Sequence, residues 1–152
     1  MQMWDISGQS ISSRMINNYI CGAHAILLCY DITNYESFAN LEDWYRIVRQ
    51  TFATNTLPFI GLIANKCVNL NFYLLKGKLY PIGDLSHMRA VKSEVHNRFA
   101  DENVLYSFMM SAKSGDQVWD YPLWKEKTTS GKVVFLTSCR CFSQHKFLQT
   151  GN

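Results

Sequence analysis

The sequence predicts an α/β protein in which helices cover a mostly parallel sheet. Two short apolar runs, Ala25–Tyr30 and Phe59–Ala64, have the length and composition of buried strands. Between them, apolar residues recur at intervals of three and four, which is typical of one face of a helix. Strands that alternate with helices in this way form βαβ units and parallel sheets.

The first helix is predicted to begin near Tyr35 and to bury one apolar stripe, made of Phe38, Leu41, Tyr45, Val48 and Phe52. Pro58 ends the polar turn that leads into the second strand. Val91, Val95 and Phe99 follow one another at four-residue spacing and predict a second amphipathic helix. The run Leu105–Met109 then predicts a third strand.

Three polar motifs accompany these strands. Open α/β sheets bind ligands at the carboxyl ends of their strands, so motifs in such positions are candidates for one site. The first is Asp5-x-x-Gly8-Gln9 and the last is Ser111-Ala112-Lys113. Asn65-Lys66 lies between them and is separated by Val68–Gly83 from Asp84-Leu85. Without that spacer the chain would read Asn-Lys-x-Asp-Leu without a break.

This ordered set of motifs resembles the small GTPases of the Ras superfamily. The strings Leu27–Thr33 and Ser37–Trp44 are similar to the Rab branch in particular. The resemblance covers about residues 2–67 and 84–118. It implies a P-loop GTPase fold, with GTP or GDP and Mg²⁺ as cofactors.

The resemblance also implies roles for individual residues on the phosphate side. Asp5 would steady the Mg²⁺ shell and Gly8 would sense the γ-phosphate through its N–H. Gln9 would be the catalytic residue, because it would orient the attacking water.

On the base side, the resemblance makes Asp84 the specificity residue. Its carboxylate would accept hydrogen bonds from the guanine N1–H and 2-amino groups, which adenine lacks. Asn65 would help frame the base and the stem of Lys66 would cover it. The backbone of Ser111, Ala112 and Lys113 would cap the base oxygen.

The chain departs from the family on the phosphate side. No Gly-x-x-x-x-Gly-Lys-Ser/Thr loop occurs in these 152 residues, so the phosphates lack the N–H groups and lysine that normally hold them. We therefore expect GTP hydrolysis to be impaired. The first strand of the family sheet, which lies between the third and the fourth, is also missing, and one side of Ala25–Tyr30 is predicted to be unpaired.

These observations predict a partial GTPase domain over residues 1–118, interrupted by an insertion at 68–83, and a divergent tail over 119–152 that is expected to be disordered. Deleting Val68–Gly83 restores the motif, which suggests a translated non-coding segment or an error in the gene prediction. Three functions stay open. The chain is a Rab-type GTPase in vesicle traffic, a nucleotide-free interaction module, or a non-functional truncated or mis-spliced product.

Partners are expected to be Rab effectors or regulators that contact residues 8–19, the equivalent of the switch-II region. The net charge of +3 and the lack of an aromatic–basic repeat argue against nucleic acid. No membrane span or signal peptide is evident, and the last four residues carry no cysteine for prenylation, so a cytoplasmic protein without a stable membrane anchor is expected. His96 is interpreted as a surface or locally bonded residue.

Overall fold

A computed structural model describes residues 2–53, 56–66, 72–75, 78–81, 89–110 and 131–138, but not the side chains of Gln9, 72–75 or 78–81. The strands are β1 Gln2–Ser7, β2 Ala25–Asp31, β3 Phe59–Asn65, β4 Phe72–Leu75, β5 Lys78–Pro81, β6 Tyr106–Met109 and β7 Lys132–Thr137. The helices are α1 Ile16–Ile20, α2 Tyr35–Ala39, α3 Leu41–Thr51 and α4 Ser93–Glu102.

Within this part of the chain, five strands form one parallel sheet in the order β1-β7-β2-β3-β6. The larger hydrophobic cluster joins one face of the sheet to the apolar sides of the helices. A smaller cluster, with Leu27, Ile63 and Phe135 among its members, lies on the opposite face. The predicted fold class, an α/β protein with a mostly parallel sheet, is confirmed.

The centre of the sheet follows the two apolar runs found in the sequence. All seven residues of β2 and six of the seven in β3 are buried, and Leu28 lies opposite Leu62 in their register. Gly61 allows close packing at this point. A Cβ atom there would lie 3.0 Å from Leu27 Cδ2 and 3.1 Å from Phe108 Cε2, so a larger residue would push these side chains apart.

The first predicted helix is present, but it consists of two pieces that meet at Asn40. The side-chain oxygen of Asn34 caps the first piece, because it accepts hydrogen bonds from the N–H groups of Glu36 (3.0 Å) and Ser37 (3.4 Å). The predicted stripe is buried as expected, with Leu41 and Val48 fully enclosed.

Strand β7 corrects the prediction of a gap in the sheet. It pairs in parallel with β1 over six residues and with β2 over five, and so occupies the position expected of the family's missing first strand. The expectation that one side of Ala25–Tyr30 is unpaired is therefore wrong. The apolar run Val133–Leu136 is buried on both faces, and this burial explains why the segment takes a central position.

The expectation of a disordered tail is likewise wrong for residues 131–138, while the rest of 119–152 lies outside the described residues. Gly131 has a φ of +98°, and a Cβ atom at this position would lie 2.6 Å from the ring of His24. The chain can therefore enter β7 here only as glycine. Two backbone bonds hold the entry, from Gln2 N–H to Gly131 O and from His24 N–H to Lys132 O, both 2.9 Å.

The spacer Val68–Gly83 contains β4 and β5, which pair as an antiparallel hairpin with Leu75 opposite Lys78. The sequence signal for this hairpin is the pair Lys76-Gly77 between two apolar stretches, since two-residue connections that contain glycine are typical of hairpins.

His96 on α4 is fully buried, so a surface position is excluded, and the histidine is instead a bonded residue of the interior. Its Nδ1 lies 2.9 Å from the Tyr30 hydroxyl on β2, and its Nε2 lies 2.7 Å from the Ser107 hydroxyl on β6. Desolvation by burial, aided by the nearby charge of Arg89, lowers the pKa of His96 to about 4. The neutral imidazole thus joins one helix to two strands.

Candidate functional site

The described residues of the first two motifs lie toward one edge of the sheet. Because the five strands run in parallel, their carboxyl ends meet there. Gly8 follows β1, Asp31 and Asn65 end β2 and β3, and Thr137 ends β7. Asp31 and Asn65 lie directly opposite each other in the register.

Asp5 and Gly8 both adjoin the end of β7. The Thr137 hydroxyl donates a hydrogen bond to Asp5 Oδ1 at 3.1 Å. A Cβ atom built on Gly8 would lie 3.4 Å from the Thr137 carbonyl oxygen, in ordinary contact. Partial desolvation raises the pKa of Asp5, and the bond from Thr137 opposes this shift. The first motif thus rests against the last described strand of the sheet.

Gln9, the predicted catalytic residue, lies in the short 3-10 turn Gly8–Ser10 that follows β1. Its side chain is not among those described. The structure therefore places its backbone at the expected edge and leaves its proposed role as a prediction.

Asn65 and Lys66 form a tight corner at the end of β3. Asn65 is buried, and its side-chain oxygen accepts a hydrogen bond from the N–H of Lys66 at 2.8 Å. Lys66 has a φ of +65°, which a lysine rarely adopts. The uncommon backbone conformation turns the chain sharply at the end of the strand.

The ammonium group of Lys66 forms an ion pair with Asp31, whose carboxylate is almost fully buried. Thr33 donates two further bonds to Asp31 Oδ1, from its N–H (2.9 Å) and its hydroxyl (2.7 Å). Burial raises the pKa of Asp31, but the bonds from Lys66 and Thr33 outweigh it and hold the pKa below its ordinary value. Asp31 is thus a charged anchor for the Asn65-Lys66 corner.

The remaining base-side residues, Asp84, Ser111, Ala112 and Lys113, lie outside the described residues. Met110 is the last described residue before Ser111, and its N–H donates to Ala64 O at 2.9 Å. The described chain therefore reaches the carboxyl edge directly before the third motif.

The Asp5 carboxylate fits the way in which Mg²⁺ binds together with a nucleotide. Across the described ranges, no group of three or more His, Cys, Asp or Glu side chains could hold a metal ion by itself. Mg²⁺ bound with a nucleotide needs only one or two carboxylates, because phosphates and water supply its other ligands. Asp5 meets that need, since the residue is exposed and its Oδ1 is held by Thr137.

Ser138, the residue after β7, has a buried hydroxyl oxygen that finds no hydrogen-bond partner among the described residues. Its N–H donates to Cys29 O at 3.1 Å, and its Cα would lie 3.6 Å from a Cβ atom on Gly8. Buried hydroxyls are normally bonded, so this atom is a candidate to bind a ligand beside Gly8.

Asp31, Thr33, Thr137 and Ser138 were not recognised in the sequence as site residues. Asp31 and Thr137 directly follow an apolar run, and Thr33 and Ser138 come one or two residues later, so the signal is the same one that drew attention to Asn65-Lys66. For Thr137 and Ser138 that signal does not indicate a site residue unless β7 is known to lie between β1 and β2.

The model of the Ras family matches residues 1–123, and the chain belongs to this family. It is similar to the Ras-related protein Rab-28 of Caenorhabditis elegans, with 36% identity over 120 residues, which is 78% of this chain and 42% of the relative. It is also similar to the Ras-related protein RabQ of Dictyostelium discoideum, with 35% identity over 118 residues, 78% of this chain and 49% of the relative. The chain thus spans less than half the length of either curated relative.

The helices in the described part of the chain are too short and too polar to cross a lipid bilayer.

Proposed function

We propose that this chain acts as a Rab-type guanine-nucleotide-binding protein that recruits effectors in vesicle traffic on the cytoplasmic side of membranes. The observation that supports the proposal is that Gly8 follows β1 and the Asn65-Lys66 corner ends β3 on the same side of the parallel sheet, with Asp5 bonded to Thr137 of β7. Guanine recognition is assigned to Asn65, Lys66 and Asp84, with Ser111, Ala112 and Lys113 capping the base.

We assign a low hydrolytic rate to these 152 residues. Phosphoryl transfer depends on positioning and charge stabilisation of the phosphates, and the sequence contains no Gly-rich loop with a lysine to provide them. Gln9 can orient water only where the γ-phosphate is held. The chain therefore binds guanine nucleotide through its base-side residues and hydrolyses GTP poorly.

Titration of the purified chain with a fluorescent GDP analogue, with GDP or ADP as competitor, tests the binding. We expect GDP to compete better than ADP, and Asp84→Asn to reduce this preference about tenfold, the effect of losing one charge-assisted bond. Asp101→Asn, a matched change at an exposed position of α4, should leave the preference unchanged. Equal competition by GDP and ADP in the unmodified chain would refute guanine recognition.

Hydrolysis is tested separately by single-turnover measurement with GTP. We expect Gln9→Leu to leave the slow rate of the chain unchanged, because a residue that does not face a positioned phosphate contributes nothing. A clear fall in rate on this substitution would show that the site is competent.

A second candidate, a nucleotide-free interaction module, is favoured by an exposed aromatic pair. Trp4 is 41% exposed and Tyr19 is 37% exposed, and their ring centroids lie 5.8 Å apart beside residues 8–19. Exposed Trp and Tyr residues commonly anchor protein partners. A soluble, cooperatively melting chain that binds no guanine nucleotide would favour this candidate.

A further inference from the structure

Thr137 connects the C-terminal strand to the first motif of the chain. It is buried, and its hydroxyl lies 3.1 Å from Asp5 Oδ1 and 3.3 Å from Ile6 O. A hydroxyl has one hydrogen to donate, and the carboxylate is both the nearer and the stronger acceptor. The bond to Asp5 is therefore the favoured one.

The position of Thr137 is firmly set by the sheet. It lies opposite Ser7 of β1 and Cys29 of β2 in the two registers, so both backbone edges of β7 are fixed at this residue. Ser138 extends the attachment through its bond to Cys29 O. A side chain on a doubly paired strand holds its partner more precisely than one on a loop.

Asp5 depends on this contact for its orientation. The ion pairs among the described residues join Arg46 to Asp43 and Lys66 to Asp31, and neither includes Asp5. The Thr137 hydroxyl is the hydrogen-bond donor that the structure gives to the Asp5 carboxylate. Fixing one carboxylate oxygen restricts the rotation of the whole carboxylate.

We propose that Thr137 is a positioning residue for Mg²⁺ that is bound together with a diphosphate. Thr137 acts through Asp5, and it belongs to β7, the last described strand of the chain. This inference rests on the proposed function only for the identity of the ligand, since any Mg²⁺–diphosphate would use the same contact. The C-terminal strand thus takes over part of the phosphate side of the site.

The test uses the full chain and isothermal titration with two probes, GDP and inorganic pyrophosphate, each with and without Mg²⁺. Thr137→Val removes the hydroxyl at nearly constant shape. We expect it to lower Mg²⁺-supported affinity for both probes about tenfold, as for loss of a bond to a charged group, and to leave Mg²⁺-free affinity unchanged. Thr137→Ser keeps the hydroxyl and should restore the Mg²⁺ dependence.

Thr51→Val is the matched control, because it removes a partly buried threonine hydroxyl that bonds to Ile47 O on α3, outside the site. It should leave the Mg²⁺ dependence unchanged. A merely structural role for Thr137 would instead lower affinity equally with and without Mg²⁺. Should Thr137→Val fail to fold, Thr137→Cys, which has a similar size and only a weak donor, takes its place with the same expected loss.

The outcomes separate the two proposals. Guanine-selective binding whose Mg²⁺ dependence survives Thr137→Val would overturn the role of Thr137 and leave the proposed function intact. If pyrophosphate binding needs both Mg²⁺ and Thr137 but the chain does not prefer guanine, the positioning role of Thr137 is supported and guanine recognition is refuted. Binding of neither probe by the unmodified chain would overturn both.

Discussion

Strands β2 and β7 lie side by side in the sheet and are buried to a similar degree, but they are attached differently. β2 pairs with β3, the next strand along the chain, and helices α2 and α3 connect the two. β7 joins β1 to β2, although it follows every other described strand in sequence. The comparison teaches that burial and strand pairing decide the order of a sheet, and that chain order need not follow it.

The polar ends of the two strands differ as well. β2 ends in Asp31, a buried carboxylate that receives bonds from Lys66 and Thr33. β7 ends in Thr137, a buried donor that supplies a bond to Asp5. The carboxylate of Asp31 at the end of β2 is therefore neutralised by its partners. Thr137 at the end of β7 instead orients the carboxylate of Asp5, which stays exposed.

The largest expected effect is the loss of stability when a buried leucine is truncated. Comparing this loss in β7 and β2 tests whether β7 belongs to the core as fully as β2 does. Leu136 on β7 and Leu28 on β2 are both fully buried in the larger cluster. We expect Leu136→Ala and Leu28→Ala each to lower the free energy of unfolding by about 2 to 5 kcal/mol, as for other buried leucines. Urea denaturation measures both. A loss below about 0.5 kcal/mol for Leu136→Ala, in the range of surface changes, would show that β7 is not part of the core.

The next effect concerns the imidazole of His96, which bonds to Tyr30 on β2. Its pKa of about 4 in the folded chain lies below the ordinary value of 6.5. The unfolded chain therefore binds a proton first, and stability that is present above pH 6.5 is lost as the pH falls toward 4. This loss amounts to about 3 kcal/mol.

Urea midpoints measured between pH 7 and pH 4 test this prediction. His96→Asn removes the titration, so its stability should fall less steeply over the same range than that of the unmodified chain. Parallel curves for the two proteins would show that His96 does not govern the acid sensitivity.

A smaller effect tests the entry to β7. Gly131 and Gly22 both have positive φ values, +98° and +72°, but only at Gly131 would a Cβ atom meet another residue, the ring of His24. We expect Gly22→Ala to cost about 1 kcal/mol of backbone strain and Gly131→Ala about 2 to 3 kcal/mol, because overpacking adds to the strain. Thermal unfolding compares the two. Equal losses would mean that His24 moves aside freely.

The smallest expected effect concerns a residue that lies outside both strands. Val104 follows α4 with a φ of +54° and is 88% exposed, so its side chain contributes little packing. Val104→Gly should raise the free energy of unfolding by about 0.5 to 1 kcal/mol, since relief of strain exceeds the added freedom of the unfolded chain. Val104→Ala keeps the Cβ atom and should bring a smaller gain. A destabilised glycine variant would contradict this account.

Local patterns in the sequence predicted β2, β3 and the stripe on α2 and α3, because each depends on neighbouring residues. The same kind of pattern exists in Val133–Leu136, where four apolar residues stand between Gly131 and Thr137. This pattern alone does not place a strand in the sheet, because its partners β1 and β2 lie far away in the sequence. The burial of His96 is hidden for the same reason, since its partner Tyr30 is 66 residues away.

The sequence by itself determined the family, the strands that alternate with helices, and the residue types available for nucleotide recognition. These features follow from short-range periodicity and from motifs whose order can be compared with known proteins. Only the tertiary structure decided that β7 occupies the centre of the sheet and that Thr137 holds Asp5. Both depend on contacts between residues far apart in the chain, and short-range patterns carry no information about which distant surfaces pair.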